Sequence, residues 1–264
     1  MSYRALLSRT AFRRTLVSVA LAAAYSSASA LSMFTLTPGA VGLTGAPVTA
    51  DNIILSDFST VTFNSPTTFT ERGYLSITDF QLGGSNVVAG GLNSTYSLYF
   101  DFTGTGHLTS GNSNATAGVT SGAFDTLTYS LVGAVGNSTF SVAGNNPAVT
   151  NAGATQVLAT GSLQNGVTVT VPTGGSFVPS AAATVSFSVA AGKNGFFSPQ
   201  PFYDVAFTAF TNSLSTVTSF GNGFTINNGG GNLNFAQPIP EPETYALMLA
   251  GLGAVGFMAR RRRS

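Results

Sequence analysis

The sequence predicts an all-β fold, an antiparallel β-sandwich-like domain in which one face of each sheet is buried. Two patterns favour this class: apolar and polar residues alternate in short runs, and clusters rich in glycine and asparagine separate the runs. No stretch of the body carries a capped apolar repeat of 3.6 residues, so helix is expected only at the two termini. A β-helix and a partly disordered chain are the alternatives.

The predicted strands follow one another along the whole body. In the clearest run the aromatic and leucine residues share one face, and three similar runs begin at Leu127, Val167 and Val185. The residues of that clearest run are Tyr96, Leu98, Phe100 and Phe102. Shorter candidates lie at residues 53–55, 60–63, 75–77, 140–142, 205–210, 224–226 and 233–235. Residues 103–121 are expected to form a long loop.

Charge is scarce and gathers at the chain ends. Only 7% of the residues are charged, against roughly 25% in an ordinary globular protein. Between Leu31 and Pro242, two basic minus eight acidic residues leave a net charge of −6. The body therefore lacks the basic patch that nucleic-acid binding requires, and nucleic acid is excluded as a partner. The outward positions are mainly Ser, Thr and Asn, which leaves edge strands without protective lysines and open to pairing with another chain.

Residues 1–30 have the three parts of a cleavable signal peptide. A basic stretch ends at Arg14, an apolar run extends from Leu16 to Tyr25, and small residues close the segment. Ala28 and Ala30 form the predicted signal-peptidase site before Leu31. General secretory export is the default expectation, and the paired arginines in the basic stretch leave twin-arginine export as the alternative.

Residues 238–264 form a second terminal signal. Three prolines make its first part extended, and the apolar run Tyr245 to Ala259 follows. As a helix this run would rise about 22 Å, short of a bilayer core of ~30 Å. Arg260, Arg261, Arg262 and Arg263 then hold the C-terminal end in the cytoplasm. The sequence thus predicts a short apolar helix, transiently inserted in the inner membrane, with the body (residues 31–237) outside.

This tail resembles the PEP-CTERM sorting signal of Gram-negative bacteria. The resemblance rests on Pro240, Glu241 and Pro242, the short apolar span and the terminal arginines. It implies recognition by exosortase, a membrane-embedded cysteine protease, and delivery to the cell surface or extracellular matrix. In the body, TADNI from Thr49, FYDVAFTAF from Phe202 and the glycine-rich segment ending at Phe235 resemble flocculation-associated PEP-CTERM proteins. That second resemblance implies a role in holding bacterial flocs together.

No catalytic, cofactor or metal site is predicted in the body. His107, the single histidine, would need Asp101 or Asp125 to orient it for nucleophilic catalysis. A calcium site would require Asp51, Asp57 and Asp101 to converge in space, and solvated surface acids are the commoner outcome. Glu71 is the only glutamate of the body apart from the tail, so paired acids for glycoside hydrolysis have no signature.

The expected function is that of an exported structural or adhesive protein. It would act in floc or biofilm matrix by self-association or by contact with extracellular polysaccharide. A carbohydrate-binding module is one alternative, for which Tyr99, Phe202 and Tyr203 could stack on sugar rings if they are exposed. A secreted hydrolase is the other. The chain has no cysteine, so the body must be held by its core alone.

Overall fold

The computed structural model describes residues 31–113 and 116–236. The predicted signal peptide, its helix and the C-terminal apolar helix lie outside these ranges. Within them, no helix has both the length and the apolar character that crossing a membrane would require.

The described residues form sixteen strands, numbered here along the chain, and three short 3₁₀ helices. The strands are β1 Phe34–Leu36, β2 Val48–Ala50, β3 Asn52–Phe63, β4 Thr68–Leu82, β5 Ser85–Val87, β6 Tyr96–Ser110, β7 Thr120–Val135, β8 Ser138–Ala143, β9 Asn146–Asn151, β10 Thr155–Thr173, β11 Ser176–Ser186, β12 Ser188–Val189, β13 Phe197–Ser198, β14 Val205–Thr211, β15 Val217–Phe220 and β16 Gly223–Ala236. The 3₁₀ helices are Pro38–Val41, Asn194–Phe196 and Leu214–Thr216. The predicted all-β, antiparallel class is confirmed.

Eight long strands form one sheet that closes on itself, here called the closed sheet. Its strands are β3, β4, β6, β7, β10, β11, β14 and β16, each paired antiparallel with the next along the chain. The last strand returns to the first, with Gly223 opposite Thr62 and Leu233 opposite Ile53. The expected sandwich is therefore wrong, because the sheet faces its own interior rather than a second sheet. Alternation of apolar and polar residues is the same in both architectures.

Closure also removes the free edges that the sequence suggested. Each of the eight strands is hydrogen-bonded on both sides for much of its length, so edge-to-edge pairing with another chain is not available to the closed sheet. Association of the closed sheet with a partner would use the outward face of its strands or the connections at its ends.

The interior of the closed sheet, the lumen, is filled mainly by apolar side chains. On β6, Phe100 and Phe102 are buried inside, whereas Asp101 and Thr103 are exposed outside. The alternation predicted for this strand is confirmed. The expected loop at residues 103–121 is shorter than predicted, because β6 continues to Ser110 and β7 begins at Thr120.

One predicted run alternates as expected, but the face that points into the lumen is the polar one and not the apolar one. Val167, Val169 and Val171 of β10 point outward, while Thr168 and Thr170 line the lumen. Gln164 is an extra residue in β10 relative to β11, since Leu163 pairs with Val185 and Asn165 with Thr184. A single inserted residue moves every following side chain to the other face of a strand.

A small sheet of β13, β1 and β2 packs against one end of the closed sheet. Phe34 contacts Phe80 and Phe235 at ring-centroid distances of 6.4 and 5.1 Å. These aromatic contacts close this end with apolar side chains. The opposite end, here called the turn end, carries the connections β3–β4, β6–β7, β10–β11 and β14–β16.

The β8–β9 hairpin lies on the outside of the closed sheet, over β6, β4 and β3. Phe140 stacks on Phe58 at 5.6 Å and meets the edge of Tyr99 at 5.3 Å. Thr60 Oγ1 donates to the Asn145 carbonyl at 3.0 Å. The hairpin therefore buries outward-facing residues that would otherwise meet solvent.

Candidate functional site

The lumen holds a cavity of about 100 Å³ with two carboxyl groups in its wall. Its apolar lining includes Val61, Phe69, Leu75, Phe100, Phe124 and Ile226. The carboxyl groups belong to Asp57 on β3 and Glu71 on β4, which are neighbouring strands. A mostly apolar pocket with a few convergent polar groups is the usual form of a small-molecule site.

Strand register brings the two acids together around Ser59. Val61 lies opposite Glu71 and Ser59 lies opposite Gly73, so Asp57, Ser59 and Glu71 all face the lumen. Ser59 Oγ donates a hydrogen bond to Glu71 Oε1 at 3.2 Å. A Cβ on Gly73 would lie 2.6 Å from Cα of Ser59, so the glycine allows this close approach of the two strands.

Two acceptor oxygens in the cavity wall have no hydrogen-bond partner. Asp57 is 3% exposed and its Oδ1 is unpaired. Asn212, just after β14, is 7% exposed; its Nδ2 donates to the Pro179 carbonyl at 3.1 Å, and its Oδ1 is unpaired. Buried acceptors without donors are costly, so their presence on a cavity wall needs an explanation.

The surroundings of the acids oppose their ionisation. Burial raises the pKa of Asp57 well above its usual value, and the nearby Glu71 charge raises it further. Burial raises the pKa of Glu71 to about 7. The pair therefore titrates as a unit, with part of its negative charge retained near neutral pH.

Among the described residues, the basic side chains lie outside the lumen. Arg72 Nη2 donates to Asn146 Oδ1 at 2.6 Å on the outer surface. Lys193 Nζ donates to Gln156 Oε1. His107 Nδ1 lies 2.7 Å from Asp125 Oδ1, with both side chains about half exposed. The lumen acids thus have no counter-charge from these groups.

A family model of the PEP-CTERM protein-sorting motif matches residues 238–263. The match includes Pro240, Glu241 and Pro242, and Arg260 to Arg263. It indicates an exported protein that is processed by exosortase and is located at the cell surface or outside the cell. No curated protein and no solved structure matches this chain. The matched residues, and the predicted signal-peptidase site at Ala28 and Ala30, lie outside the described residues.

The acids weighed for calcium do not converge. Asp57 faces the lumen, Asp101 lies exposed on the outside of β6, and Asp51 Oδ2 accepts from the Gly83 amide at 2.8 Å. Across residues 31–113 and 116–236, no group of three or more histidine or acidic side chains is placed to hold a metal ion. His107 and Asp125 do pair, on the outer surface of β6 and β7.

The aromatic residues considered for sugar stacking are not available for it. Tyr99 is buried under the β8–β9 hairpin, and Tyr203 is buried with its hydroxyl donating to the Met33 carbonyl at 2.6 Å. Phe202 packs against Phe197 and Phe235, each at 4.8 Å. Tyr99 and Tyr203 are therefore buried, and Phe202 is half-buried against the core.

Sequence reasoning missed the lumen pair because it treated the acids as isolated surface groups. A signal was present in the spacing. Asp57 is an even number of residues from Leu55 and Val61, both buried, and Glu71 is two residues after Phe69, so each acid falls on the apolar face of its strand. A carboxylate at an apolar position of an alternating strand indicates an inward-facing acid. That pattern alone does not show that the two acids are neighbours.

Proposed function

We propose that the mature protein is a structural or adhesive component of the extracellular matrix that promotes floc or biofilm formation by associating with further copies of itself. The proposal builds on the sorting motif, which indicates export and processing. One feature of the fold carries the adhesive step: an uncharged, partly apolar outer surface, here called the valine face.

The valine face spans β10, β11 and β14. It consists of Val167, Val169, Val171, Val178, Ala182, Phe207 and Ala209. Val167 lies opposite Ala182, which lies opposite Ala209, so one outward row crosses all three strands. Val167 is 57% and Phe207 46% exposed. A contiguous exposed apolar surface of this kind is typical of an interaction site.

Charge distribution favours a second copy as the occupant. β10, β11, β14 and β16 contain no charged residue, whereas the outer surface of β4, β6 and β7 carries Asp79, Asp101 and Asp125 against the single arginine Arg72. Two copies with a net negative body repel each other on their acidic sides. They can approach without this repulsion through their valine faces, where burial of apolar area stabilises the contact.

The proposal is tested with protein recovered from extracellular material of producing cells, by sedimentation velocity over a concentration series. We expect the native protein to associate and Val167→Lys to stay monomeric, because a lysine pair in the contact would be buried without counter-charges. Thr103→Lys, on the exposed outside of β6, is the matched control and should associate like the native protein. Cells producing Val167→Lys should form fewer flocs than cells producing Thr103→Lys.

Contact with extracellular polysaccharide is the second form of the adhesive role, and co-sedimentation with the host's polysaccharide measures it. A native protein that remains monodisperse at high concentration and binds no host polysaccharide would remove the basis of the proposal. Polysaccharide binding by a monomeric protein that both lysine variants retain would assign adhesion to a surface other than the valine face.

A further inference from the structure

We propose that the lumen is a binding site for a small organic cation, an ammonium group carried on a short apolar body. This site is independent of the valine face and of any association between copies. It rests on a cavity, on a pair of acids without counter-charge and on two unpaired acceptors in the lining of that cavity.

The cavity contains acceptors that lack donors. Asp57 Oδ1 and Asn212 Oδ1 are both buried and unpaired, and both residues line the cavity. Glu71 Oε1 receives one hydrogen bond, from Ser59. A ligand that satisfies this wall must bring several N–H or O–H donors, and an ammonium group brings three with no acceptor.

The negative charge of the lumen acids favours an ammonium group over a neutral donor. The titratable groups facing the lumen are Asp57, Glu71 and Tyr129, and the Tyr129 hydroxyl already donates to the Ser186 carbonyl at 2.7 Å. The described basic residues, Arg72, Lys193 and His107, are engaged elsewhere. A buried negative charge without a partner is expensive, and a bound cation removes that cost.

The remaining lining and the volume set the rest of the ligand. Most of the other lining side chains are aliphatic or aromatic, with a minority of hydroxyl groups such as those of Thr168 and Thr170, so the remainder of the molecule is mainly apolar. A cavity of ~150 Å³ accommodates benzene, and this one is about 100 Å³. The fitting ligand is therefore a short aliphatic amine of roughly five non-hydrogen atoms.

At the turn end, two aromatic side chains separate the lumen from a second cavity. This second cavity has a volume of about 470 Å³, and Phe63 and Phe224 line both it and the lumen cavity. The two rings stand 6.4 Å apart. Rotation of these side chains would connect the lumen to solvent without breaking hydrogen bonds between the strands of the closed sheet.

The test uses the purified full-length chain and n-butylamine, with n-butanol as the uncharged probe of nearly equal size. Calorimetry or ligand-observed NMR gives both affinities at pH 8. We expect the amine to bind about tenfold more tightly than the alcohol, the size expected for hydrogen bonds to charged groups. Amine affinity should fall towards pH 5, as the acid pair becomes protonated while the amine keeps its charge.

Asp57→Asn and Glu71→Gln keep the shape of the wall and remove its charge, so each should lower amine affinity about tenfold. Asp125→Asn, which removes an acid on the outer surface, is the control and should bind as the native protein does. Equal affinities for amine and alcohol, no binding of either, or native affinity in Asp57→Asn would each overturn the proposal. Circular dichroism spectra confirm that the variants are folded.

Discussion

Ser59 and Glu71, on neighbouring strands of the closed sheet, share a hydrogen bond of 3.2 Å inside the lumen. The serine hydroxyl offsets part of the cost of burying that carboxyl group, yet the pKa of Glu71 still rises from 4.5 to about 7. Asp57 lies two residues before Ser59 on β3, and its pKa is raised as well. The lumen acids therefore link the stability of the fold to pH.

Stability should decrease as the pH rises through the lumen pKa values. Between 4.5 and about 7 the folded protein holds a proton on Glu71 that the unfolded chain has released. Because the folded state binds more protons, the free energy of unfolding falls with pH in this window. Urea unfolding from pH 4.5 to 8, followed by tyrosine fluorescence in this tryptophan-free chain, measures the slope.

Asp57→Asn should remove the part of that slope that comes from Asp57, while Glu71, whose pKa is raised by burial, keeps its own part. The amide has nearly the shape of the protonated acid, so we expect stability close to native at pH 5 and a gain of about 1–3 kcal/mol at pH 8. Asp125→Asn, on the outer surface, should leave the slope unchanged. A native pH profile in Asp57→Asn would show that Asp57 does not contribute to it.

Gly73→Ala should destabilise the fold. A Cβ at this position would clash with the Phe58 carbonyl oxygen and would lie 2.6 Å from Ser59 Cα, and both are backbone atoms. Moving these strands apart should lower the free energy of unfolding by about 1–3 kcal/mol. Gly39→Ala is the matched control, since its Cβ would meet nothing within 4 Å. Equal urea midpoints for the two variants would contradict the close approach at Gly73.

Phe140→Ala should loosen the β8–β9 hairpin. The ring contacts Phe58 and Tyr99, so its removal leaves both without their outer cover. We expect a loss of about 2 kcal/mol in the free energy of unfolding and faster amide hydrogen exchange in the hairpin. Thr139→Ala, exposed on the same strand, should change neither quantity. Native exchange rates in Phe140→Ala would assign the anchoring of the hairpin to its hydrogen bonds.

Processing at the tail should remove the terminal arginines. Mass spectrometry of protein from extracellular material should give a chain that begins at Leu31 and lacks Arg260 to Arg263. Glu241→Ala alters the matched motif and should leave unprocessed chain with the cells, whereas Ser264→Ala, beyond residue 263, should be exported normally. Extracellular protein that retains the arginine cluster would contradict processing.

The lumen pair shows where sequence reasoning stopped. Asp57 and Glu71 each fall at an apolar position of an alternating strand, which already indicates inward-facing side chains. Their proximity depends on the register of β3 against β4, which includes a bulge between Ile54 and Leu55. Register is a property of the pair of strands, so neither strand alone contains it.

In the valine face, the predicted and the observed orientation of a strand differ. Alternation in β10 was predicted correctly, but burial was expected on the valine side because apolar residues usually face the core. The extra residue Gln164 reverses the faces beyond it. Nothing in the local composition distinguishes a bulge at Gln164 from a regular strand.

The sequence by itself determined the antiparallel β class, since a side-chain period of two is a local property of each strand. It also determined the sorting motif, since that motif is a linear pattern read in order along the chain. Only the tertiary structure decided that the sheet closes, that two acids meet in its lumen and that valines form an outer face. These features depend on β16 returning to β3 and on bulges that set which side chains face inward. Hydrogen bonds between strands fix these features, and local alternation within one strand is compatible with several pairings.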